Sequence, residues 1–98
     1  MKITKATSSY NQRRYSKPWI ASLTAGDKFP KYEWGQWVGD AGDPGELILD
    51  VEAGDVIAIG QKDNRGNNTD QEFYIVGGSG ELESVDKVTA YRNLRETA

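Results

Sequence analysis

Apolar and polar residues alternate one for one over most of this chain, the period of half-buried β-strands. Residues 2–7 form an opening segment with Ile3 on one face. In residues 18–24, Trp19, Ala21 and Leu23 share one side and Ile20, Ser22 and Thr24 the other. Pro18 cannot donate to an internal ladder and so marks the start of that strand. Residues 32–38 set Tyr32, Trp34 and Val38 on one side and Trp37 on the other. In 46–52, Leu47, Leu49 and Val51 alternate with Ile48 and Asp50. The Ala53-Gly54-Asp55 turn and a strand at 56–60 complete what reads as a β-hairpin, with Gly54 supplying positive φ. Residues 71–76 alternate again, and Gly77-Gly78-Ser79-Gly80 turns into a short piece around Leu82.

The period then changes. Val85, Val88, Tyr91 and Leu94 recur every three residues behind Ser84, which predicts one helix over 85–96 with Ser84 as its N-cap. The pattern as a whole predicts a mainly β protein: a small β-barrel or sandwich of five to seven strands, with one C-terminal helix closing or covering it. Ninety-eight residues without a dividing linker make a single domain, 1–98, because a second core would have too little chain to close around.

Composition removes several chemistries. The chain has no cysteine and no histidine, which excludes disulfides, thiolate nucleophiles, imidazole acid–base catalysis and nearly all zinc sites. The acids between Asp40 and Asp55 do not match the ligand spacing of a calcium loop. No phosphate-binding glycine motif is present. The expectation is a non-enzymatic protein with no metal and no cofactor. No apolar run is long enough for a membrane span, and the N-terminus lacks the apolar stretch of a signal peptide, so a cytoplasmic protein is expected.

Charge is segregated. Residues 1–26 contain no acid but carry Lys2, Lys5, Arg13, Arg14 and Lys17, whereas 38–61 carry acids and no base. One part of a chain of net charge −3 is therefore suited to an anion. Its richest piece runs from Tyr10 through Arg13, Arg14, Tyr15 and Lys17 to Trp19. Arginines there can grip a phosphate bidentately while an aromatic ring stacks on a base. Its bland alternative is a solvated hairpin tip between the strands at 2–7 and 18–24. A second candidate is the polar stretch 61–70, with Lys62, Asn64, Arg65, Asn67 and Asn68. Carboxamides and arginine suit ribose hydroxyls and base edges, but Asn and Gly are also the ordinary formers of a long hairpin loop. If both loops lie at one end, Arg13, Arg14, Lys62 and Arg65 form a single cationic rim. Trp34 and Trp37, on opposite faces by parity, are candidate interface residues, with at least one of them expected in the core.

The segments NQRRYSKPWIA, WGQWVGD, AGDVIAIGQKDNRGNN and FYIV resemble small β-rich proteins of bacteriophages and prophages. That resemblance implies a role against bacterial defence. One such group sequesters cyclic nucleotide or cyclic ADP-ribose signals in pockets lined by arginine, asparagine and aromatic residues, commonly as homo-oligomers. The leading expectation is thus a sponge for a small anionic nucleotide-like ligand. The alternatives are an inhibitor that binds a host defence protein, of anti-CRISPR or anti-restriction type, and a single-stranded nucleic-acid-binding module, which the net negative charge disfavours.

Overall fold

The computed structural model describes residues 1–7, 17–39, 45–62, 65 and 67–97. Among them run eight strands and one helix: β1 (Lys2–Thr7), β2 (Lys17–Thr24), β3 (Lys31–Trp34), β4 (Gln36–Val38), β5 (Gly45–Asp50), β6 (Val56–Lys62), β7 (Asn68–Val76), β8 (Leu82–Val85) and α1 (Lys87–Thr97). They build two antiparallel sheets, β1-β5-β4 and β3-β2-β6-β7-β8. The fold is mainly β as the alternation predicts, and of the two architectures it is the sandwich; the sheets do not close into a barrel.

Strand parity sets the layers. Odd positions of β2 (Trp19, Ala21, Leu23) turn to one face of the large sheet and Ile20 to the other. Ile20, Ile57, Ile59 and Val76 meet Ile3, Leu47, Leu49 and Val51 of the small sheet, forming the core between the sheets. On the opposite face Trp19, Ala21, Leu23, Val56, Ala58 and Phe73 are covered by Ala90 and Leu94 of α1. The large sheet is therefore buried on both faces through its centre, which is why β6 reads Val-Ile-Ala-Ile without a polar break.

Three expectations change. The segments 46–52 and 56–60 do not form a hairpin: β5 pairs with β1 and β4, while β6 pairs with β2 and β7. Their connection crosses from one sheet to the other. Val51 N–H donates to Met1 C=O (2.7 Å) on one side of it, and Gly54 N–H donates to Val76 C=O (2.7 Å) on the other. Gly54 does have positive φ, +91°. Second, β1 and β2 belong to different sheets and do not pair as a hairpin; the residues between them lie outside the described ones. Third, the segment 32–38 breaks at Gly35 into β3 and β4, one in each sheet, which raises the strand number to eight. A Cβ on Gly35 would lie 2.4 Å from Ile48 O and 2.6 Å from Ile20 Cγ2. Only glycine fits where the chain passes between the sheets.

The helix starts two residues later than its period suggests. Asp86, not Ser84, caps it: its Oδ1 accepts a hydrogen bond from Thr89 N–H (2.7 Å). A three-residue repeat drifts on a helix of 3.6 residues per turn. Val88 consequently falls on the outer face, 63 % exposed, and Ala90 takes its place in the core.

Candidate functional site

The candidate site lies at the end of the large sheet where β2 begins. Lys17 pairs with Lys62, Pro18 with Gln61 and Trp19 with Gly60 across β2 and β6. Beyond Lys62 the chain turns through Arg65 and returns as β7, with Asn68 opposite Lys62. The stretch 61–70 is thus the end of a β6–β7 hairpin, and its strands extend further than the polarity of the sequence suggests. Opposite Gly60 the β7 strand carries an extra residue, a bulge between the pairs Ile59–Glu72 and Gln61–Thr69. Because the extra residue is on β7, β6 keeps its alternation, and Lys62 stays on the same face as Trp19.

That face carries an aromatic group of three. Trp19 is buried, and its ring lies over the place where a Cβ of residue 60 would stand, so glycine at 60 leaves it room. Trp34 at the end of β3 meets Trp19 edge-on, with centroids 5.3 Å apart and planes at 83°. Tyr32 lies 5.5 Å from Trp34 and 6.0 Å from Trp19. Burial and a hydrogen bond with Tyr91 push the Tyr32 phenol up to about 12, so it is neutral at physiological pH. Trp34 alone of the three is exposed, at 54 %. The Lys62 ammonium sits over it, Nζ 5.0 Å from the ring centroid. Trp19 Nε1 is buried with no acceptor among the described residues.

The structure sorts the sequence candidates. Lys62, Arg65, Asn67 and Asn68 gather on the β6–β7 hairpin, and Lys17 joins them through its backbone pairing. Arg65, Asn67 and Asn68 are exposed. Arg13, Arg14, Tyr15 and Asn64 lie outside the described residues. The two tryptophans part company. Trp37 is partly buried, packing against the core between the sheets and beside Gly39 and Gly45. Trp34 and Tyr32 belong to the platform, and sequence reasoning did not connect them with Lys62. The missing signal was topological, since β3 reaches β6 only across β2.

A concavity of about 320 Å³ borders Trp34 and Gly35, and a cleft of about 300 Å³ lies between the 25–30 connection and Tyr91 and Leu94 of α1. Among the described residues no group of three or more acidic residues is placed to hold a metal ion, and no helix is long and apolar enough to cross a membrane. Compared with protein-family models, with curated proteins and with solved structures, the chain matches none.

Proposed function

We propose that this protein binds a small anionic, nucleotide-like ligand on the Trp34–Lys62 platform and holds it without chemical change. The observation that carries the reading is a half-exposed indole fixed by two aromatic neighbours, with an ammonium directly over it. A base stacking on an aromatic side chain gains ~1–3 kcal/mol. An exposed cation–π contact is worth only ~0.5–1 kcal/mol. A flat base therefore displaces the ammonium from the ring, and the ammonium turns to the phosphate that accompanies the base. Arg65 adds a second cationic group, and the amides of Asn67 and Asn68 offer donors and acceptors for a base edge.

Sequestration rather than turnover fits a chain without histidine or cysteine. In the setting suggested by its likeness to small phage proteins, the ligand is a cyclic nucleotide or cyclic ADP-ribose signal, and binding counters a host defence.

Calorimetric titration with cyclic mononucleotides, cyclic dinucleotides and cyclic ADP-ribose tests this directly. Saturable binding with quenching of Trp34 fluorescence is expected for at least one of them. Absence of heat and of any thermal shift across the panel would overturn the proposal and leave Trp34 to a protein interface.

A further inference from the structure

We infer that the protein self-associates through β3 as a two-fold antiparallel pair centred on Tyr32. Among the described residues the strand is the edge of the five-stranded sheet, bonded to β2 on one side only. Which of its groups face outward follows from the ladder. Residues of an antiparallel pair alternate between positions that bond their partner and positions that point away. Gly35 N–H donates to Ile20 C=O at 2.7 Å in the register that pairs Trp34 with Ala21. By alternation Glu33 and Lys31 turn their amides toward β2, and Tyr32 and Trp34 turn theirs to the open edge. Pro30, one step earlier, offers that edge a carbonyl and no donor.

Charge separates the two-fold registers centred on the inner residues of this edge, Lys31, Tyr32 and Glu33. Centring on Glu33 sets Glu33 against Glu33 of the second copy, and centring on Lys31 sets Lys31 against Lys31. Like charges directly opposite are destabilising. Centring on Tyr32 instead sets Lys31 against Glu33 on both sides of the axis, at the closely spaced positions where side chains meet most intimately. In that register the Tyr32 groups bond each other reciprocally. Trp34 N–H donates to the Pro30 carbonyl of the second copy, and the Trp34 carbonyl, which gets no donor from Pro30, stays open to water.

The same register explains two exposed apolar residues. Phe29 is 78 % exposed and Trp34 54 %, and they flank the two ends of β3. Antiparallel pairing brings the Phe29-Pro30 corner of each copy to the Trp34 end of the other. Four paired residues and these corners are a small interface beside the ~1,000 Å² of a stable dimer. Association is therefore reversible and concentration-dependent. The inference does not depend on any ligand.

Charge reversal tests it. Sedimentation equilibrium of the full chain should show a monomer–dimer equilibrium. Glu33→Lys and Lys31→Glu should each shift it at least tenfold toward monomer, with unchanged circular dichroism. An equimolar mixture of the two variants should recover the dimer, because each then faces its complement. A wild-type chain that stays monomeric at millimolar concentration would overturn the proposal, as would Glu33→Lys dimerising like wild type or a mixture that fails to recover.

Discussion

Lys62 and Trp34 meet although their strands, β6 and β3, are separated by β2: the Lys62 Nζ stands 5.0 Å from the centroid of the indole. The contact spans the width of a strand and uses the length of the lysine stem. Reversing the charge at its tip should leave the fold intact and change what the platform accepts. Lys62→Glu is expected to weaken nucleotide binding at least tenfold, since a carboxylate then faces the phosphate. Calorimetry at low and raised ionic strength should also show that the variant loses the salt dependence of the wild type.

Trp34 and Trp37, three positions apart, should respond oppositely to truncation. Trp34→Ala removes an exposed ring, so stability changes by ~1 kcal/mol or less while ligand binding is lost. Trp37→Ala opens a gap beside Leu47 in the inter-sheet core and should cost ~2–4 kcal/mol with affinity unchanged in the folded fraction. Urea denaturation alongside calorimetry separates the two.

Gly35→Ala should be more damaging than Gly54→Ala. The first forces a methyl group into Ile48 O and Ile20 Cγ2, at 2.4 and 2.6 Å, where neither sheet can move aside; overpacking of this kind costs ~1–3 kcal/mol or more. The second meets nothing within 4 Å but must adopt φ +91°, a strain of ~1–2 kcal/mol. Melting temperatures of the two variants give the order.

Two groups set opposite limits on pH stability. The Tyr32 phenol is raised from 10.0 to about 12 by burial and its bond with Tyr91. Its contribution is whole below pH 10 and is lost as pH rises through about 12. Absorbance titration near 295 nm should show a late tyrosine, absent in Tyr32→Phe.

Asp86 behaves in the reverse sense. Its side-chain and backbone hydrogen bonds from Thr89, with Arg92 nearby, hold its carboxyl below the ordinary 3.8. The cap is therefore complete above that value and lost as pH falls below it. Asp86→Asn should keep the helix and flatten the acid limb of the melting-temperature profile, read by far-ultraviolet circular dichroism.

The alternation of apolar residues was enough to find the strand segments, with β3 and β4 read as one, and to assign Trp19, Ala21 and Leu23 to one face and Ile20 to the other, and the change of period placed the helix at the tail. Pairing was not legible. A turn with positive φ at Gly54 is compatible both with a hairpin and with a crossing between sheets. What decides is whether Val51 and Val56 find partners in each other or in Met1 and Leu23, which lie far away in sequence. Gly35 gave no local sign of a break, because its role depends on Ile20 and Ile48 closing over it. The platform shared that fate. Lys62, Arg65, Asn67 and Asn68 stand out by residue type, whereas Trp34 joins them only once β2 lies between β3 and β6.

The crossing at 51–55 also has a kinetic side. The β6–β7–β8 meander joins strands adjacent in sequence, but β1 must find β5 with Lys2 opposite Asp50, across nearly half the chain. Closing so long a loop is entropically slow. The meander is therefore the early part of this fold and β1 the late one, so the platform end of β6 and β7 takes shape before the small sheet is complete.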